Sequence, residues 1–175
     1  MNLIPDEVMM KFYGCGNPVP LDIDGLHVLD LGSGSGRDCY VAAKLVGPTG
    51  SVTGLDMTDE QIDVARRNAG DYLSKLGYPK SNMQFLKGYI EDIIGSGVAP
   101  NSMDLVISNC VVNLSPDKPA VIKGVWDALK NGGEFHFSDV YCDRRLPEHV
   151  RKHEVLWVRF LFLLLLVVRR WKVGM

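Results

Sequence analysis

Val28-Leu29-Asp30-Leu31-Gly32-Ser33-Gly34-Ser35-Gly36-Arg37-Asp38 is an apolar run that turns through alternating glycines directly into a segment of helical spacing. Glycine has no Cβ, so such a turn can be tight and a ligand can approach its backbone closely, while the helix behind it presents unpaired N–H groups. A glycine-rich turn alone is weak evidence, because flexible loops also carry Gly-Ser repeats. The strand before it and the helix after it give it meaning. The dinucleotide fingerprint G-x-G-x-x-G would require glycine at 37, where this chain has Arg37, so that reading fails.

Working outward, runs rich in Val, Leu and Ile recur at 27–31, 51–55, 83–86, 105–108 and 134–140 and predict five strands. Helical spacing lies between them at 37–46, 59–76 and 118–129. In the second helix Ile62, Ala65, Ala69, Tyr72, Leu73 and Leu76 share a face; Thr58 before Asp59 and Glu60 marks its start, and Gly77 its end. Asn131-Gly132-Gly133 predicts a turn before the last strand. Such alternation implies parallel strands joined by right-handed crossovers with helices on both faces, an α/β doubly wound sheet. The expected organisation is an N-terminal segment at 1–19, one domain at 20–157 and a divergent apolar and basic tail at 158–175.

The 175 residues, 46% of them hydrophobic, suffice for one core rather than two. The net charge of −2 is spread without blocks, which argues against nucleic acid and for a small substrate. Cys15, Cys39, Cys110 and Cys142 form no CxxC pair, so neither a metal site nor a redox dithiol is expected, and a reducing cytoplasm suits them. No secretory signal pattern opens the chain. The apolar run at 160–168, closed by Arg169, Arg170 and Lys172, is shorter than the roughly 20 residues a bilayer span needs. It is read as a non-native tail, not as a stable membrane anchor.

The G-x-G-x-G turn, with Asp30 two residues before its first glycine, resembles the first motif of class I methyltransferases. That resemblance implies a Rossmann-like sheet with S-adenosylmethionine as cofactor, Gly32, Gly34 and Gly36 in the binding turn, and Asp30 facing the methionine end. An anion there suits an ammonium and a sulfonium better than a pyrophosphate. Asp56 closes the second strand about twenty residues on, where an acidic residue accepts hydrogen bonds from ribose hydroxyls; capping the helix near Thr58 is its alternative. Met57 falls beside it among the implied contacts. Ile90 and Glu91 match positions that the family places beside the adenine ring, although a solvated Glu91 on a surface helix is nearly as good a reading. Asn109 is the candidate polar contact after the fourth strand, and Cys110 is read as a small buried residue behind the cofactor in preference to a reactive thiol.

Tyr13-Gly14-Cys15-Gly16, Arg37-Asp38-Cys39-Tyr40 following the glycine turn, Gly88-Tyr89-Ile90-Glu91, Ser108-Asn109-Cys110-Val111 and Phe137-Ser138-Asp139-Val140-Tyr141 together resemble the arsenite methyltransferase family over about residues 7–157. The resemblance implies methyl transfer from S-adenosylmethionine to trivalent arsenic, presented as a complex with a glutathione-like thiol, by a monomer, with Cys15 as an arsenic thiolate. Arsenic(III) is soft and thiophilic, so thiolates are its expected ligands. The family's arsenic-binding cysteine after the Trp157 equivalent would fall at 160, where this chain has Phe160, and its other thiolates also lack matches. From sequence, then, Cys15 stands as a single thiolate and full turnover is not expected. The similarity stops after Trp157, so the chain reads as a truncated form whose sheet lacks its last strands. A catalytically inactive cofactor-binding fragment, and a methyltransferase for another small acceptor such as an amine, phenol or carbon acid, are the alternatives.

Overall fold

The computed structural model describes residues 3–141 and 165–172. A short helix α1 (Asp6–Met10) precedes β1 (His27–Leu31), α2 (Arg37–Val46), β2 (Ser51–Asp56), α3 (Asp59–Leu76), β3 (Met83–Lys87), β4 (Met103–Asn109), α4 (Lys118–Ala128), β5 (Leu129–Tyr141) and β6 (Leu165–Lys172). One sheet takes them in the order β3-β2-β1-β4-β5-β6. The first five strands are parallel, as the alternation of strand and helix predicts.

Alternation along each strand distributes the core. Val28 joins Val52, Phe85, Leu105 and Ile107 on the face covered by α1, α2 and α3, whereas Leu29 and Leu31 join Leu55, Val106, Leu129 and Phe135 on the face covered by α4. Asp30 is two residues from Val28 and so points to the α2 face, where it is 2% exposed. Tyr40 and Tyr72 pack edge to face between α2 and α3, and each hydroxyl finds a backbone carbonyl, Tyr40 on Ala65 and Tyr72 on Tyr40. Their burial fixes α2, and with it the glycine turn, against the sheet.

Three details differ from the sequence reading. Thr58 occupies the N-cap of α3, but its side chain makes no capping bond; Asp56 Oδ1 instead accepts from Thr58 N at 2.9 Å. Asn131-Gly132-Gly133 does not separate helix from strand, because α4 ends at Ala128 and β5 starts at once. The pairing with β4 shifts register between Met103↔Leu129 and Leu105↔Glu134, and Gly132 at φ 81° lies within the shift. The third difference is at the sheet edge. No strand is expected there, yet β6 runs antiparallel along β5 from Glu134↔Lys172 to Tyr141↔Leu165. β6 joins the end of the apolar run, Leu165 to Val168, to the basic segment Arg169 to Lys172, and it satisfies a row of β5 backbone groups otherwise left unpaired. Residues 142–164, which include Cys142, the matching stretch 151–157 and position 160, lie outside the described residues. Among the described residues no helix is long and apolar enough to cross a membrane.

Candidate functional site

The strand order reverses between β1 and β4, and at such a point the loops leaving the carboxyl ends of the strands diverge and leave a crevice. The glycine turn forms its floor. Gly32 N and Ser33 N both donate to Leu55 O, at 2.8 and 3.0 Å, and Gly34 N donates to Asp56 Oδ2 at 2.8 Å. Gly34 has φ 53°, and a Cβ built on it would meet no atom within 4 Å, so the space above the turn is open. At Gly32 the reason for glycine is different: φ is 67° and a Cβ would overlap the Val111 side chain.

One cavity of about 210 Å³ lies over this turn, lined among others by Asp30, Gly32, Gly34, Asp38, Asp56, Asn109 and Cys110. Three carboxylates thus converge on one small space. Burial, and then the negative charge of Asp38, push the Asp30 carboxyl well above the usual carboxylate range; a bond from Cys39 Sγ at 3.2 Å works the other way. The Cys39 thiol is pushed up as well, by burial and by Asp30, so it is an inert donor. Arg37 Nη1 pairs with Asp38 Oδ1 at 2.5 Å from outside the cavity, and among its lining residues Lys11 is the one cation against three carboxylates. The site favours a positively charged ligand.

A second cavity of about 760 Å³ continues past Asp56 and is lined by Met57, Tyr89, Ile90, Glu91, Val111 and Leu114. It is mostly apolar, with Met57 and Tyr89 exposed on its rim and Ile90 buried at its base. Glu91 is not a solvated residue of a surface helix: it sits in a 3-10 turn, Ile90–Asp92, and accepts from Ser115 Oγ at 2.5 Å. The two cavities share Gly32, Asp56, Thr58, Val111 and Leu114.

On the other wall the sequence reading needs correction. Cys15 is not a single thiolate, and Cys110 is not a mere packing residue. The two are joined as a disulfide with a Cα–Cα distance of 5.9 Å. Cys110 holds φ 58°, unusual for a residue with a side chain, and its N donates to Ser138 O at 2.8 Å. Asn109 brings the partners together. Its Oδ1 accepts from Cys15 N and Gly16 N at 3.0 and 3.1 Å, and its Nδ2 donates to Gly16 O at 2.9 Å and Asp38 Oδ2 at 2.7 Å.

Residues 22–166 match the methyltransferase domain family. The chain belongs to that family. It is 48% identical over 154 residues to the arsenite methyltransferase of Homo sapiens, covering 88% of this chain and 41% of that protein. It is 50% identical over 157 residues to the arsenite methyltransferase of Aquipseudomonas alcaligenes, covering 90% and 45%. Among solved structures it superposes with TM-score 0.84 and 60% identity on an arsenic (III) S-adenosylmethionine methyltransferase from Chlamydomonas reinhardtii, covering 87% of this chain and 51% of that one. The chain therefore spans about half the length of these relatives or less.

The residues of this methyltransferase domain fit the cofactor that the family implies. A cationic methionine end matches the carboxylate-lined cavity, a flat aromatic base matches the apolar one, and Asp56 stands between them with lone pairs left for ribose hydroxyls after accepting from Gly34 and Thr58. Of the residues singled out from sequence, Asp30, Gly32, Gly34, Asp56, Met57, Ile90, Glu91, Asn109 and Cys110 all line one cavity or both. Gly36 does not; it packs beneath the turn, where a Cβ would press on Phe85 and Tyr40 at 3.0 to 3.1 Å. Sequence reasoning missed Asp38, whose position in the first turn of α2 was legible, and the pairing of Cys15 with Cys110, for which spacing offered no signal.

Proposed function

We propose that this domain binds S-adenosylmethionine across the two cavities and transfers its methyl group to trivalent arsenic held at Cys15 and Cys110. The observation that carries the reading is a pair of adjoining sulfurs, Cys15 and Cys110, of which Cys110 lines the cavity where three carboxylates converge. Asp30 takes the methionine end, with Gly32 and Gly34 beneath it; Asp56 takes the ribose, and Met57, Ile90 and Glu91 surround the adenine. When bound, the cofactor supplies a methyl group on a positively charged sulfur, which the arsenic lone pair takes as the carbon–sulfur bond breaks.

The chain's own part is preparation and positioning. Two equivalents of a glutathione-like thiol reduce the Cys15–Cys110 disulfide, giving two thiols and one glutathione disulfide. The thiols then displace two thiolates from an arsenic(III)–thiol complex, their protons leaving with the displaced thiols. A reducing cytoplasm keeps the pair available for this exchange. Arsenic carries no proton, so no general base is required, and the carboxylates serve to orient and to balance charge.

Calorimetric titration with S-adenosylmethionine, beside Asp56→Ala, and a methyl-transfer assay with arsenite and excess glutathione test the reading. Binding weakened in the variant, with methylated arsenic formed by the reduced wild type, is the expected result. Binding without turnover would leave a cofactor-binding domain and sink the arsenic assignment.

A further inference from the structure

Three stretches that lie far apart in the chain meet at one carboxamide. Tyr13-Gly14-Cys15-Gly16 lies against it, Asp38 follows the glycine turn on α2, and Asn109 ends β4 immediately before Cys110. The Asn109 side chain makes all four hydrogen bonds that an amide can make, two accepted at Oδ1 and two donated from Nδ2. Three of the four go to the backbone of Cys15 and Gly16, 93 or 94 residues away. They hold a main-chain position and read no side chain. The fourth goes to Asp38, which is 4% exposed. A carboxylate only accepts, so Asp38 forces the NH₂ group toward itself and thereby leaves Oδ1 facing the two N–H groups. Asp38 is held in turn by Arg37, whose guanidinium lies 4.6 Å over the Phe12 ring. Gly14 completes the fit: a Cβ there would collide with the Phe12 ring and with Asn109 Nδ2, so the segment lies on the amide as closely as a backbone can.

From this geometry we propose that Asn109, oriented by Asp38, is a positioning residue that fixes Cys15 at bonding distance from Cys110. The proposal rests on the reading of the two cysteines as the substrate-binding pair, and it assigns Asn109 to the thiol wall and not to the cofactor. A pair held in register has a high effective concentration of one thiol toward the other, and that quantity responds to small misplacement. Its disulfide therefore takes more thiol to open than that of the same two cysteines left unheld, though excess thiol still opens it.

The test is the equilibrium of the Cys15–Cys110 disulfide in the full chain against a dithiothreitol redox buffer, read by alkylation and peptide mass. Asn109→Ala is expected to shift it toward the dithiol by about tenfold, and Asp38→Asn, which frees the amide to flip, by about threefold. Gly14→Ala leaves Asn109 intact and pushes the segment off it; it is expected to shift the equilibrium in the same direction, and it serves if Asn109→Ala does not fold. An equilibrium unchanged within about twofold in folded variants would overturn the proposal. So would a loss confined to S-adenosylmethionine affinity, which would return Asn109 to the cofactor. If the reduced wild type binds no arsenite, the substrate reading fails while the shift in Asn109→Ala still decides the role of Asn109.

Discussion

The two walls of the crevice are built by different means. On the β2 side a backbone turn and one carboxylate do the work: Gly32, Ser33 and Gly34 are tied to Leu55 and Asp56 on the adjacent strand. On the β4 side, side chains join segments nearly a hundred residues apart, through the Asn109 amide and the Cys15–Cys110 bridge. The first wall is rigid as soon as the sheet forms. The second depends on an N-terminal segment whose place is held by three hydrogen bonds to the Asn109 amide and a bond that thiols can break. A binding wall and a reactive wall can therefore be damaged separately, and that separation is open to test.

The largest effect is expected at the first wall. Gly34→Arg must adopt φ 53° with a long side chain in the space above the turn. The cofactor affinity should fall at least about 100-fold, near 2.7 kcal/mol, by calorimetry. The thiol pair should react with arsenite as in the wild type. If Gly34→Arg also abolishes arsenite binding, the walls are not independent. The converse variant is Cys110→Ser, which leaves Cys15 alone. Its reduced form should bind arsenite about 30-fold more weakly, because a soft ion loses one of two thiolates. Its affinity for S-adenosylmethionine should stay within about threefold of the wild type.

The same contrast explains what could be read from the sequence. The five parallel strands, the glycine turn, Asp30 and Asp56 are local: each follows from hydrophobic period or from spacing within one strand–turn–helix unit. The Cys15–Cys110 pair is not. Cys110 reaches its partner through a left-handed backbone that sequence does not announce, and the N-terminal segment reaches it through hydrogen bonds to main-chain atoms, which leave no mark on residue type at 15 or 16. The motifs Tyr13 to Gly16 and Arg37-Asp38 stood out as specific without a reason for their occurring together. The reason is Asn109, which touches both. β6 was missed on other grounds: its sequence, four apolar residues followed by Arg169-Arg170-Trp171-Lys172, has no alternation that marks a strand, and only an unpaired strand edge decides it.

A smaller effect, with a definite sign, belongs to Asp30. Burial and Asp38 raise its folded pKa above the unfolded value. The folded domain then holds a proton that the unfolded chain has released, so stability falls as pH rises from about 3.9 through the folded pKa. Asp30→Asn removes that loss, while its carbonyl can still accept from Cys39. At neutral pH the variant should melt about 2–4 °C higher than the wild type, with the difference vanishing below roughly pH 4. Its cofactor affinity should fall about tenfold, because an amide cannot balance a cationic ligand. In the wild type, affinity should weaken on acidification as Asp30 takes up its proton, and binding should release protons, measurable by titration in buffers of different ionisation enthalpy. In Asp30→Asn both dependences should flatten. A variant that loses stability and keeps its affinity would show that Asp30 serves the fold and not the ligand.

The smallest effect reaches the thiol wall from its outer end. The Arg37 guanidinium, about a quarter exposed, lies over the Phe12 ring while pairing with Asp38. Phe12→Leu keeps an apolar group there and removes the ring's quadrupole, worth about 0.5–1 kcal/mol at such a site. Global stability should change by no more than that, since the ring lies outside the two core clusters. The consequence to look for is local. Arg37 would retain its bond to Asp38, and Asp38 its hold on Asn109, but the segment bearing Cys15 would lose the contact that precedes it. Amide exchange at Cys15 and Gly16 should quicken about three- to fivefold, matching less than 1 kcal/mol of local opening, while exchange at Gly34 stays as in the wild type. Equal acceleration at Gly34 would mean that the turn and the N-terminal segment open as one unit, and the division into two walls would then describe only how they are built, not how they move.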